Sequence, residues 1–430
     1  MSASIASPLS GSSSQLATEG FPSRCARVVE NRERHGDLVD LLAPYYFRGD
    51  PLADAVVETF ASMPPGKGSK LLNPALASAR HPEMAAELPK LPPALQALMD
   101  QVTHKPLWVD LDKVNVGGAT YMRAGFLGSV ALLCYSLPYG YLNPAANKPL
   151  VFSGRLVQRA YRRLMETSRF VLEVCKPGGL DIGAPGFMIS VRVRLMHAQV
   201  RRLLLKSGRW KTRDWGLPIN QSDLLGTNLL FSIIVLQALR RCGLRFSKEE
   251  SEGVMHFWKY SGYISGIEPE LLASTESEGW RILDLIMDSR EVADDDSRTL
   301  ARSLMDAGGE AAHSVMGFEE TRWVSRALYG FSQSFIGRKN ADELDYPRTF
   351  WSWLMPLLKI VVATTELGRR GIPGGKRFMR RLGERMWNFA ITAGLQGKPA
   401  QFGLPEKLST DSGKKQKKRK KLFGKRKPSE

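Results

Sequence analysis

The stretch Pro218-Ile-Asn-Gln-Ser-Asp-Leu-Leu-Gly-Thr-Asn-Leu-Leu-Phe-Ser-Ile-Ile-Val-Leu-Gln-Ala-Leu239 decides the fold. Asn220 stands where a helix N-cap belongs, Asp223 follows three residues later, and the run beyond is too uniformly apolar for a surface helix. A helix over 221–242 therefore belongs in a core, and a core helix needs others around it. Working outward, helical periodicity predicts further helices at 94–104, 118–137, 155–176, 185–206, 248–266, 268–288, 295–308, 316–336, 347–367 and 374–395. In DPLADAVVETFASM, Asp50 is an N-cap, Pro51 takes the first helical position, and Leu52, Val56, Phe60 and Met63 recur at helical spacing; the Pro/Gly cluster 64–70 stops it. Strand-like alternation is almost absent and no fixed-period repeat stands out. The fold class expected is all-α, with a single helical domain over 36–400, a Ser-rich disordered leader over 1–35 and a disordered basic tail over 401–430.

With 430 residues, 43% hydrophobic and 24% charged, the chain has the composition of a soluble folded protein. Ten of its +18 formal charges lie in the acid-free run 414–427, leaving the rest at +8, so the basicity does not argue for a nucleic-acid-binding fold. Three readings of KKQKKRKKLFGKRK stay open: a solvated tail, contact with an anionic membrane surface aided by Leu422 and Phe423, and contact with nucleic acid, for which no folded recognition element is evident. Cys25, Cys134, Cys175 and Cys242 form no CxxC pair, which fits reduced thiols. The N-terminus reads as no export signal, so a cytoplasmic location is expected, with peripheral contact to the inner membrane face. Ala124–Asn147 lacks charge but is interrupted by Pro138 and Gly140 and suits a core helix and loop better than a membrane span.

Dinucleotide fingerprints, HExxH, GxSxG and calcium loops are absent, and none of the six histidines lies within five residues of another. Attention falls on GFMISVRVRLMHAQVRRLLLKSG, where Arg194, His197 and Arg201 share a stripe of an otherwise apolar helix. A lone imidazole flanked by two guanidiniums calls for an anion: a haem, with iron on His197 and propionates on the arginines, or carboxylates of the protein itself. A satisfied core histidine remains open beside the haem. Upstream, Arg163 and Thr167 share a helix face and offer a guanidinium and a hydroxyl to one spot, unless the threonine back-bonds to its own helix and the arginine pairs locally.

The order PLVFSGRL, Arg163-x-x-x-Thr167, Pro177-Gly-Gly179, VRVRLMHAQVR, GLPIN and Trp258-x-x-x-Gly262-x-x-x-Gly266, preceded by GDPLADA at 49–55, resembles the latex-clearing-protein/MpaB-type oxygenase family over about 50 to 270. That resemblance implies an all-helical, loosely globin-like fold and a haem b whose iron has His197 as proximal ligand. It places Arg163 and Thr167 in the haem pocket as catalytic residues and makes Arg194 and Arg201 part of the motif supporting the ligand helix. Rubber-cleaving members insert O2 across an isoprenoid double bond, giving carbonyl products, with a carboxylate upstream of the Arg/Thr pair as base. The corresponding window 139–151 has no acid here; Asn147 and Lys148 stand in it, and Glu166 is the nearest carboxylate. The function expected is a haem-dependent oxygenase acting with O2 on an unsaturated hydrophobic, lipid- or isoprenoid-like substrate; the alternatives are a non-catalytic haem sensor or carrier, or a haem-free helical scaffold.

Overall fold

Side-chain caps start the principal helices where the sequence places them. Asp50 accepts from the Ala53 N–H at 3.2 Å and begins Pro51–Ala61; Asn220 accepts from the Asp223 N–H at 2.9 Å and begins Gln221–Phe231. Ser247 with Glu250 and Thr275 with Glu278 form reciprocal capping boxes at the heads of Lys248–Ile264 and Glu276–Ser289. The structure is a computed structural model describing residues 21–405 apart from 26, 82, 84–89, 153–155, 318–321, 371–373 and 401. The expected segments 1–20 and 406–430 and part of PLVFSGRL lie outside the described residues. The protein is all-α, with no strand among the described residues.

At the centre, Lys248–Ile264 crosses Leu111–Arg123 so closely that only glycine fits: a Cβ on Gly117 would stand 2.2 Å from the Gly253 carbonyl oxygen. Leu156–Cys175 packs against Pro185–Lys206, Asp295–Met316 and Gly375–Gly394, and Pro185–Lys206 packs in turn against Pro51–Ala61. Ile233, Ile234, Val235, Leu236, Ala238 and Leu239 are all buried, as a core helix requires. The helix expected over 221–242 is two helices, however. Ser232 leaves the helical region at φ −95° and ψ −85°, and its hydroxyl donates back to the Asn228 carbonyl at 3.1 Å, so Gln221–Phe231 and Ile233–Arg241 meet there.

Other boundaries differ too: the helix expected over 268–288 starts at Glu276, that over 295–308 runs on to Met316, and that over 347–367 opens with the turn Phe350–Leu354. The leader expected to reach residue 35 ends earlier, since Val28–His35 is helical and Asn31 bonds Ser289 at 2.9 Å. A helix at Lys67–Ser78 follows Gly66, whose φ of +77° redirects the chain; the Pro/Gly cluster ends one helix and admits the next. The helix expected over 118–137 is broken at Gly125 and passes through Phe126–Ala131, a π-helical turn Leu132–Ser136, and Leu137–Tyr141. Pro138 has no N–H to return to the fourth carbonyl back, and the Leu137 N–H reaches Leu132 instead.

Candidate functional site

Asp50 and Asp54, one turn apart at the start of Pro51–Ala61, face Arg194 and Arg201, two turns apart on Pro185–Lys206. Arg194 donates to both Asp50 oxygens, at 2.6 and 3.0 Å, and to Gln101 Oε1 at 2.6 Å, and the pair is almost wholly buried. Arg201 pairs with Asp54 and donates to the Pro218 and Ile219 carbonyls at 3.0 and 2.7 Å. Ile219 is held at φ +53°, an uncommon conformation for a β-branched residue, with its carbonyl accepting from Arg201. A Cβ at Gly266 would sit 2.2 Å from Asp50 Oδ2, and one at Gly49 2.8 Å from Asp54 Oδ2, so both glycines make room for the ion pairs. Buried ion pairs of this kind are tolerated only when the geometry satisfies both partners, and here it fixes the helix between them.

His197 lies on that fixed helix between the two arginines. Among the described residues its ring has no hydrogen-bond partner, and Nδ1 is sealed from solvent without one. Burial first, then the Arg201 and Arg163 charges against the opposing pull of Asp50, push the imidazole pKa down to about 4. At neutral pH the ring is therefore uncharged, the form a metal ion requires of histidine.

Arg163 and Thr167 lie one turn apart on Leu156–Cys175, which packs against the histidine helix. The neighbouring cations of that helix are engaged, Arg162 with Glu166 at 2.9 Å and Arg169 with Glu173 at 3.2 Å. Arg163 has no hydrogen bond or ion pair among the described residues, yet its charge bears on both His197 and Tyr141. Tyr141 is pushed up by burial despite that cation and stays a protonated donor. The Thr167 hydroxyl makes no back-bond to its own helix among the described residues, in contrast to Thr59, Thr103 and Thr120. Among the described residues, an uncharged imidazole without a hydrogen-bond partner under the charge of an unpaired guanidinium fits a single-histidine haem with an anion-stabilising side. It does not suit a protein-caged metal ion, since no group of three His, Cys, Asp or Glu side chains forms a site among the described residues.

The structure thus brings the Arg163 charge to bear on His197, leaves Thr167 one turn along the same helix as Arg163, and gives Arg194 and Arg201 to protein carboxylates. The anions anticipated for those arginines are Asp50 and Asp54, so any service to a cofactor runs through the helix they hold rather than through propionate contact. Glu166 is occupied by Arg162, and His256 accepts the Asp110 N–H at 2.9 Å while packing edge-on against Trp108, which explains it as a structural residue. The acid-free window is met across the fold: Lys148 pairs with Asp294 at 2.6 Å and Asp296 at 2.8 Å, and Asn147 bonds Ser297. Sequence reasoning missed Tyr141, Asp50 and Asp54. The i, i+4 carboxylates of GDPLADA were the one available signal for the last two.

Comparison with known proteins follows the same lines. The family model described as "ER-bound oxygenase mpaB/B'/Rubber oxygenase, catalytic domain" matches residues 118–365. A curated relative, the rubber oxygenase of Streptomyces sp. (strain K30), is 26% identical over 209 residues, which make up 46% of this chain and 50% of that protein. The chain therefore matches about half the length of this relative. A solved structure of latex clearing protein LCP in the closed state superposes with a TM-score of 0.62 at 19% identity, covering 80% of this chain and 90% of the other.

Proposed function

The chain belongs to the mpaB/rubber oxygenase catalytic-domain family, and from that premise we propose that it is an oxygenase acting with O2 on an unsaturated hydrophobic substrate, with a haem b held by His197. The observation that carries this reading is the buried, uncharged His197 without a hydrogen-bond partner, facing the unpaired Arg163. The haem would supply O2 binding and activation. The chain's own residues do the rest. Asp50 and Asp54 hold Arg194 and Arg201, and through them the rotation of the histidine helix. Arg163 stabilises negative charge developing on oxygen, Tyr141, on which the Arg163 charge bears, is a donor for it, and Thr167, one turn along the helix, is the second hydroxyl assigned to the pocket. Substrate is an apolar alkene, lipid- or isoprenoid-like, and both oxygen atoms of O2 enter its double bond to give two carbonyls, so no further oxidant or reductant is consumed. Water is kept out by the buried apolar residues of the surrounding helices.

Absorption spectra of the purified chain expressed with haem, oxidised and dithionite-reduced, test this beside His197→Ala. A Soret band in the native chain that is lost in the variant is the expected result, followed by carbonyl products from alkenes under O2 that fall when Arg163 is replaced by Met. A folded native chain with no Soret band overturns the haem reading, and a haem-loaded chain that forms no product overturns the oxygenase reading.

A further inference from the structure

Ten of the 18 large apolar side chains that stand exposed among the described residues fall between 350 and 389. On Met355–Arg370 the inner side, Met355, Leu358 and Val362, packs on the core, and the buried Glu366 pairs with Arg123 at 3.0 Å. The outer side is apolar as well: Trp353, Leu357, Ile360 and Val361 are between 51% and 84% exposed. On Gly375–Gly394, Gly383, Trp387 and Ile391 are buried, and Trp387 donates to the Gly125 carbonyl. Its outer side carries Phe378, Leu382, Met386 and Phe389 at helical spacing, with Arg377, Arg381 and Arg385 as a parallel stripe one position earlier. Those three arginines have no ion-pair partner among the described residues. Where the apolar face begins, Phe350 and Trp351 form the wall of an open cleft of about 660 Å³ that also holds Arg322, Arg326 and Arg348 against one carboxylate, Asp306.

We propose that this face is a docking surface for a bilayer bearing anionic headgroups, and that the chain lies on the bilayer rather than crossing it. Aliphatic residues at the centre, aromatic residues at the edge and guanidiniums alongside match the order of acyl chain, interface and phosphate met on entering a membrane. Anchoring by Glu366 and by the inner apolar side keeps Met355–Arg370 flat against the protein, where it offers one apolar side to the core and another to lipid. A second copy is a poorer occupant, because the unpaired arginines would be carried into an interface that brings no acidic stripe to meet them. The run 414–427 adds ten basic charges to the same chain and reinforces attraction to anionic lipid without supplying the apolar contact. The inference stands on surface residues and does not depend on haem or turnover.

Flotation of the full chain with vesicles tests it, using phosphatidylcholine alone and phosphatidylcholine mixed with phosphatidylglycerol. The native chain binds the anionic vesicles, and either Leu357→Glu with Ile360→Glu or Arg377→Glu with Arg381→Glu and Arg385→Glu weakens binding by about tenfold or more. Replacing the lysines of 414–421 by glutamine weakens it less, and the fluorescence of Trp353, isolated by difference from Trp353→Phe, shifts to the blue on binding. Circular dichroism and thermal melting of these surface variants match the native chain. Binding that survives both sets of face substitutions assigns the attraction to the tail and overturns the proposal. So does a native chain that ignores vesicles but sediments as a dimer which Leu357→Glu with Ile360→Glu dissociates.

Discussion

Among the described residues, two segments are long and apolar enough to cross a membrane, and they have opposite fates. Of the apolar window in Gln221–Arg241, 67% is buried, while of that in Phe350–Leu367 only 11% is. The first is surrounded by Phe126–Ala131, Lys248–Ile264 and Glu276–Ser289. Of the second, the turn Phe350–Leu354 packs on Arg322–Ile336, while the helix that follows touches chiefly that turn and Gly375–Gly394. Apolar composition states that a helix needs an apolar neighbour and leaves open which one. For the first segment the fold is that neighbour; for the second, most of the window stays uncovered among the described residues, and the proposed neighbour is the bilayer.

The same charge placed in both segments separates them most strongly. Ile234→Asp, at a fully buried position, is expected to cost about 4 kcal/mol or more in urea unfolding, whereas Ile360→Asp, 60% exposed, stays within about 0.5 kcal/mol. Equal losses would mean that the outer face of Met355–Arg370 is covered in solution. A charge that is buried with its partner sharpens the point from the other side. Asp50→Ala leaves the Arg194 guanidinium buried with only Gln101 and also removes an N-cap, for an expected loss of about 3–5 kcal/mol. Asp54→Ala costs less, because Asp54 is partly exposed and Arg201 keeps two carbonyls; unfolding curves of the two variants check the order.

The same distinction marks what was legible in the sequence. Helix type and most helix positions were readable, because caps such as Asn220 and Asp50 and the 3.6-residue period are local. The breaks at Ser232 and Gly125 were not, because one hydroxyl back-bond and one glycine decide them within uninterrupted apolar runs. At the candidate site, Arg163, Thr167 and His197 were singled out from spacing and resemblance. Their environment was not. The carboxylates that claim Arg194 and Arg201 come from about 140 residues upstream, and those that meet Lys148 from about 145 residues downstream, so only the folded chain shows that the arginines are already paired. The outer face of 350–389 was equally hidden, since periodicity reports an apolar stripe and not whether anything packs on it.

His197 extends the comparison to an ionisable group buried without a partner. In the haem-free chain the folded state keeps the ring neutral down to about pH 4, while the unfolded chain takes up its proton near 6.5. Between those values the unfolded state binds more protons, so stability rises with pH across that window and is flat above it. The contribution reaches up to about 3 kcal/mol, and it shows as the part of the pH 4 to 6.5 slope of unfolding free energy that His197→Gln abolishes. An unchanged slope in that variant would mean that the ring is hydrated or paired in solution, and the site would lose its uncharged ligand.

The smallest effect tests how the exposed helix is fastened. Glu366 lies on the inner side of Met355–Arg370 and meets Arg123, which also donates to Glu250 at 3.2 Å and to the Arg245 carbonyl at 3.3 Å. Glu366→Gln keeps the shape and removes the charge while Arg123 retains a carboxylate, so the expected loss is about 1–2 kcal/mol. That loss is local. Met355–Arg370 has few inward contacts besides this one, so its amide exchange should quicken by about tenfold while that of Ile233–Arg241 stays unchanged. Faster exchange in both helices would tie the two segments into one cooperative unit, and the outer helix would then be part of the core rather than a surface held against it.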